Sequence, residues 1–350
     1  MRVLFVGLGG IGQRHLRNLR LILGSEVQVS AYRVRGLSTT VNDRLEIESG
    51  VNFEEKYGVK VHRQLDEALA VPPDAVFICN PTRMHIPVAL AAAKAGAALF
   101  IEKPLSDSLD GVEALRELVA ARGLVTLVAY QLRFHPLLRG LKAIVTDDSF
   151  GRPVAVRADV AEYLPSFHPY EDYRQLYASR QALGGGVVVS QIHEFDYLFS
   201  LFGLPARIFA VGGRLSRLEI DVEDVASVLM EYDGGGGRRF PVHLHQDYLQ
   251  KPPSRTCMVL GEGGKVMIDF HALTLTYFDE KGAVRSQLAY PKFNRNQLFI
   301  DEMRHFLSCV AGKEAPIVPL ESGLQSLRMA LAAKQSIASG QVVELGKDLS

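Results

Sequence analysis

Short, almost unbroken apolar runs punctuate the first third of the chain: Val3 to Val6, Val27 to Ala31, Ala75 to Cys79, Ala98 to Ile101 and Val125 to Val128, with a shorter one from Val59 to Val61. Between them lie longer stretches with apolar residues at helical spacing, such as Ile86 to Ala95 and Gly111 to Ala121. Strands without polar alternation belong in a sheet covered on both faces, and alternation of strand with helix makes such a sheet parallel. The pattern predicts a doubly wound α/β domain over residues 1–128.

Past about residue 150 the runs lengthen and alternate: Val154 to Ala161, Arg207 to Gly213, Ala226 to Tyr232, Phe240 to Tyr248, Thr256 to Leu260, Lys265 to Asp269 and Leu273 to Phe278. Adjacent pairs read as hairpins, with the glycine runs Gly234 to Gly237 and Gly261 to Gly264 as turns. A second α/β domain with a mostly antiparallel open sheet is therefore expected over residues 129–350. Two helical patterns close the chain, Gln297 to Cys309 and Ser322 to Ala338, the second placed to pack back on the first domain.

Composition narrows the partners. At roughly 150 residues per domain, 350 residues make two domains, each able to bury a core. Lys and Arg number 39 and Asp and Glu 39, so no net field favours nucleic acid or anionic lipid. No apolar run reaches the roughly 18 residues of a membrane helix, and the stretch from Val3 to Val6 is too short for a signal-peptide core. Cys79, Cys257 and Cys309 form no CxxC pair, which argues against a disulfide framework and a zinc ribbon and makes the cytoplasm the expected location.

Gly7-Leu8-Gly9-Gly10-Ile11-Gly12 follows the first strand and opens a helical pattern, the context in which GxGxxG binds a dinucleotide. Gly7 permits the tight turn, Gly9 lets the backbone approach the pyrophosphate, and Gly12 allows close helix–strand packing. A structural glycine turn or an S-adenosylmethionine site would use similar residues. After the second strand, where a NAD site usually presents an acid to the ribose, stand Tyr32-Arg33-Val34-Arg35. Arg33 and Arg35 can pair with a 2′-phosphate, so NADP is favoured over NAD.

Asn80-Pro81-Thr82 with His85, and Glu102-Lys103-Pro104, lie at the carboxyl ends of two further strands, where ligands collect in open parallel sheets. These residues should border the nicotinamide. A lysine partly desolvated by apolar neighbours and a cofactor can trade protons near neutrality, as oxidation of an alcohol by hydride loss requires. Taken singly, Lys103 reads more readily as a solvated loop lysine; its position at a strand end and its neighbours reverse that.

Together with Gly184-Gly185-Gly186 opening a helix through Ser190, His193, Glu194 and Asp196, these motifs resemble the Gfo/Idh/MocA oxidoreductase family, named for glucose-fructose oxidoreductase and inositol dehydrogenase. Members pair a Rossmann domain with a mostly antiparallel α/β domain, and the resemblance spans nearly the whole chain. It implies that Lys103 acts at the reacting hydroxyl, that the Lys103–Pro104 peptide is cis, and that the second-domain sheet makes a homodimer or homotetramer. The segment Asp247 to Arg255 looks like that of members from surface-sugar biosynthesis clusters, pointing to a nucleotide-activated or acidic sugar.

One departure stands out: the commoner family pattern has Asp where this chain has Ser190. His193, three residues later and expected on the same helical face, could bind the substrate oxygen or share its proton with Lys103. Tyr130 and Arg133, after the last Rossmann strand, and Tyr173, Arg174 and Arg180, in the loop before the three glycines, are further candidate substrate contacts. His243, His245 and Asp247 share one strand face, but hydride transfer needs no metal and none is expected. The expectation is an NAD(P)-dependent oxidoreductase acting on a secondary alcohol or ketone of a sugar-like molecule. A non-catalytic NADP(H)-sensing protein and a glycosidase that oxidises and restores its sugar with tightly held NAD are the rival readings.

Overall fold

Six strands, β1 (Arg2–Val6), β2 (Gln28–Tyr32), β3 (Lys60–His62), β4 (Ala75–Ile78), β5 (Ala98–Glu102) and β6 (Thr126–Ala129), form an all-parallel sheet in the order β3-β2-β1-β4-β5-β6. The computed structural model describes residues 1–34, 39–42 and 46–346. Helices α1 (Gly10–Leu23), α2 (Phe53–Tyr57), α3 (Leu65–Leu69), α4 (His85–Lys94) and α5 (Val112–Arg122) connect these strands. Every residue of β4 and β5 is buried, as the unbroken apolar runs require. Strand order reverses between β1 and β4, so a crevice opens at their carboxyl ends.

The second half follows with α6 (Pro136–Val145), β7 (Pro153–Ala161), α7 (Val187–Ser190), α8 (His193–Phe202), β8 (Arg207–Gly213), β9 (Val225–Asp233), β10 (Arg239–Asp247), β11 (Ser254–Gly261), β12 (Gly264–Asp269), β13 (Thr274–Asp279), β14 (Val284–Ala289), α9 (Asn296–Val310), α10 (Leu320–Ser339) and β15 (Val343–Glu344). Its nine-stranded sheet runs β14-β13-β12-β11-β7-β10-β9-β8-β15, antiparallel except for the β10–β7 pair. Both expected glycine turns close hairpins, β9–β10 and β11–β12. The fold class is therefore the one that the strand pattern predicts.

Two helices from the end of the chain return to the first sheet. Phe5, Phe77 and Phe100 stack in a row across β1, β4 and β5, with centroids 4.8 and 4.6 Å apart, and Phe306 of α9 packs edge-on against the last two. In α10, Leu320 N–H donates to Thr126 Oγ1 at 3.0 Å, and a β-carbon on Gly323 would lie 2.5 Å from Val128 Cγ2. Glycine there lets the helix lie directly on β6.

The continuous helix expected after Gly186 is instead two. Gln191 leaves the helical region at φ −98°, ψ 40°, because its side-chain amide donates to the Asp247 carbonyl and its own carbonyl accepts from Gln246 Nε2 at 2.7 Å. Ser190 therefore ends α7 while His193 opens α8, and the two do not share a regular helical face.

Candidate active site

The glycine loop is shaped by close approach. Gly7 takes φ +92°, and a β-carbon on it would lie 2.8 Å from the Cys79 carbonyl group. A β-carbon on Gly12 would strike the Gly7 carbonyl oxygen. Gly9, by contrast, has nothing within 4 Å of where a β-carbon would stand. It caps α1 in an extended conformation, with no side-chain cap and no acid in the first turn of that helix. The positive start of α1 thus has open space beside Gly9, a cradle that fits a dinucleotide pyrophosphate.

Beyond β2 lies a cavity of about 520 Å³, lined among others by Gln13, Arg33, Thr40, Glu54 and Arg63. Arg33 does not project as a lone guanidinium: its NH1 is paired with Glu54 at the start of α2. Two arginines and two acids, Glu48 and Glu54, balance in this cavity. Arg35 lies outside the described residues.

The two strand-end loops are bolted together by His85. Its Nδ1 lies 2.9 Å from the Pro104 carbonyl and its Nε2 2.9 Å from the Asn80 carbonyl, so both ring nitrogens are taken up by backbone and the buried imidazole fixes the site instead of facing a ligand. Burial lowers its pKa, while the two carbonyls and the charge on Glu102 oppose that shift. Pro81 leads into a single turn of 3-10 helix whose first residue, Thr82, is buried, and Asn80 Oδ1 is buried without a partner.

Glu102 is anchored by His15, whose Nε2 lies 2.6 Å from Oε1, while Oε2 accepts the Lys103 N–H at 3.1 Å. The Lys103–Pro104 peptide is cis, as the resemblance implies. From here the Lys103 side chain crosses to the second half of the chain, and Nζ donates to the Ser190 carbonyl oxygen at 2.9 Å.

His193 opens α8 immediately beyond. Burial, then the positive charges of Lys103, Arg255 and Arg295, push its pKa well below the ordinary histidine value, so the imidazole is neutral. The Gln131 amide nitrogen lies 3.2 Å from Nε2, which puts the imidazole proton on Nδ1, and Nδ1 is buried without a partner. Tyr130, fully buried, packs edge-on against the ring at 5.7 Å.

Other sequence candidates are engaged elsewhere. The Arg133 guanidinium grips buried Asp196 in a two-pronged ion pair, at 2.6 and 3.0 Å, and reaches Ser322 of α10, which makes it a tie between segments. Arg174 pairs with Asp172 and Glu219, the Tyr173 hydroxyl accepts the Glu219 N–H at 3.3 Å, and Arg180 faces Asp221 at 3.7 Å. His245 is held by Ser227 and Asp247, and among the described residues no cluster of His, Cys, Asp or Glu could hold a metal ion.

Sequence reasoning overlooked His15, Gln131 and the buried Glu194–Arg255 pair at 2.8 and 3.0 Å. Only His15 carried a usable signal, a polar residue on the inward stripe of the helix after the glycines.

The comparisons fit this geometry. The chain is 28% identical over 360 aligned positions to myo-inositol 2-dehydrogenase of Thermotoga maritima, covering 99% of this chain and 98% of the relative. It is 28% identical over 334 positions to 1,5-anhydro-D-fructose reductase of Ensifer adhaerens, covering 92% and 96%. Among solved structures, a probable dehydrogenase from Thermotoga maritima superposes with a TM-score of 0.74 at 26% identity, covering 98% and 99% of the two chains. No helix among the described residues is long and apolar enough to cross a membrane. Residues 1–130 match the family model of the oxidoreductase family NAD-binding Rossmann fold and residues 142–345 that of its C-terminal alpha/beta domain, so the chain belongs to the Gfo/Idh/MocA oxidoreductase family.

Proposed function

We propose that this chain moves a hydride between a nicotinamide dinucleotide and a secondary alcohol or ketone of a sugar-like substrate, with Lys103 handling the hydroxyl proton. The observation that carries the reading is the reach of Lys103 Nζ from the end of β5 to the Ser190 carbonyl, 2.9 Å away, beside a buried neutral imidazole. The bound nicotinamide supplies hydride acceptance or donation. Lys103 exchanges its bond to Ser190 for one to the substrate oxygen, taking the hydroxyl proton as the free amine in oxidation and returning it as the ammonium in reduction. His193 positions: uncharged, it adds no second positive charge beside the ammonium, and its unpartnered Nδ1 suits a substrate hydroxyl. Ser190 contributes through its carbonyl, since no carboxylate stands at that position.

The names of the relatives, an inositol dehydrogenase and an anhydrofructose reductase, support a polyol or sugar substrate, and the segment from Asp247 to Arg255 favours a nucleotide-activated or acidic one. For the dinucleotide, Arg33 and Arg63 in one cavity support NADP, with Glu54 as the opposing charge. The open face of the nine-stranded sheet supports self-association. Across it, register places Phe209, Leu229, His243, Arg157, Met258 and Met267 in one outward-facing row.

The test follows nicotinamide absorbance with NADP and NAD across a panel of inositols, sugars and nucleotide sugars. Substrate-dependent reduction, lost in Lys103→Met, supports the proposal. Tight dinucleotide binding without turnover of any substrate would favour a sensing protein, and cleavage of a glycoside without net nicotinamide reduction a glycosidase.

A further inference from the structure

Tyr170 belongs to the second half of the chain, in the loop between β7 and α7, yet its hydroxyl rests on the glycine loop of the first. Gly10, the first residue of α1, has no room for a side chain because a β-carbon there would collide with the Tyr170 hydroxyl. The next neighbour of that β-carbon, apart from the same tyrosine, would be Val41 Cγ2 at 3.9 Å. Its ring stacks on His168 with centroids 5.5 Å apart and an interplanar angle of 23°, and the hydroxyl lies 3.3 Å from His168 Nδ1. Stacking fixes the direction in which the hydroxyl points.

Apart from the Glu171 carboxylate beside the Tyr170 hydroxyl, the surroundings suit an anion. Immediately before Gly10, Gly9 faces open space, and α1 brings neither a capping side chain nor an acid to its first turn. Burial and the Glu171 carboxylate, which is also hydrogen-bonded to the phenol, push Tyr170 up to about 12 against the opposing charge of Arg14, so the group keeps its proton and a bound pyrophosphate would draw that proton away from Glu171.

We propose that Tyr170 is a cofactor-binding residue supplied by the second domain: its O–H donates to the dinucleotide pyrophosphate seated at the start of α1, and its loop must swing away for the dinucleotide to leave. The inference rests on reading the glycine loop as the dinucleotide site. The same loop continues through the three glycines into α7, whose Ser190 carbonyl holds Lys103, so one segment touches both the phosphate cradle and the reacting lysine.

Titration calorimetry and stopped-flow release with the full-length chain test this. A hydrogen bond to a charged group is worth roughly 1.5–3 kcal/mol, so Tyr170→Phe should weaken NADP or NAD about tenfold or more, chiefly through faster release. ADP-ribose, which keeps the pyrophosphate but lacks nicotinamide, should weaken by the same factor, while the melting temperature of the ligand-free protein stays unchanged. Gly10→Ala should weaken binding in the wild type and add little in the Tyr170→Phe background, because the colliding oxygen is gone. Unaltered or tighter binding by Tyr170→Phe overturns the proposal, and so does a loss confined to the full dinucleotide. A wild-type chain that binds neither dinucleotide nor ADP-ribose refutes the underlying reading of the glycine loop.

Discussion

Lys103, at the end of β5, donates from Nζ to the main-chain carbonyl of Ser190, at the end of α7, across 2.9 Å. One residue belongs to the six-stranded sheet and the other to the segment that packs on the nine-stranded sheet, so Lys103 is aimed by a contact between the two halves. The His15–Glu102 pair behind it and the helix break at Gln191 in front of it fix the two ends of that contact.

Arg133 and Asp196 hold the same seam. Their buried two-pronged pair also reaches Ser322 and Ser326 of α10. Arg133→Ala leaves Asp196 ionisable and unpaired in the interior, and should cost about 3–5 kcal/mol in urea unfolding. Asp196→Asn should cost less, because it keeps a neutral acceptor. Equal stability of Arg133→Ala and wild type would show the pair to be unimportant.

Glu302 of α9 is buried with both carboxyl oxygens unpartnered, and burial, reinforced by the charges of Glu102 and Asp196, holds its pKa well above the usual carboxylate range. A protonated native acid faces an ionised unfolded one once pH exceeds the unfolded value of about 4.3. The native state therefore loses stability from that pH upward, by at most about 1.4 kcal/mol per pH unit, until the native group itself ionises. Glu302→Gln should raise the melting temperature at pH 7 and lose that advantage near pH 4. The opposite sign would mean that Glu302 is ionised and paired.

Strand content was legible because each core strand carries its own apolar signal. β14 was not, since all six of its residues are exposed and Val284-Arg285-Ser286-Gln287-Leu288-Ala289 presents no inward face. α6 could have been read, for Pro136 sits in its first turn and Leu137, Leu138, Leu141 and Val145 form its buried stripe. The break between α7 and α8 could not, because Gln191 is pulled out of the helix by Gln246 and Asp247, some 55 residues away. Lys103 and the glycine loop announce themselves by local motif. Gln131 and Tyr170 do not, since each matters only for what folding brings beside it.

The proposed NADP preference rests on Arg33, with Glu54 as its opposing charge. Glu54→Gln removes the partner of Arg33 in the cavity beyond β2 and should tighten NADP about fivefold, roughly 1 kcal/mol, with little change for NAD. Calorimetry with both dinucleotides measures this. Wild-type preference for NAD, unaltered by the substitution, would refute the NADP assignment.

Self-association is expected to use the open sheet face, where Leu229 is 51% exposed beside a recess of about 260 Å³ lined by Phe209 and Pro241. Leu229→Glu buries a charge if a second copy covers this face, and should reduce a dimer or tetramer to smaller species in light scattering. An unchanged mass would exclude the face as the interface.

In the proposed reaction Lys103 acts on the substrate proton and not on cofactor retention. Binding and turnover should be measured side by side on Lys103→Met, with dinucleotide affinity from calorimetry and kcat from nicotinamide absorbance. Wild-type dinucleotide affinity with kcat reduced about 10²–10⁴-fold is the expected result. Undiminished turnover by Lys103→Met would contradict it.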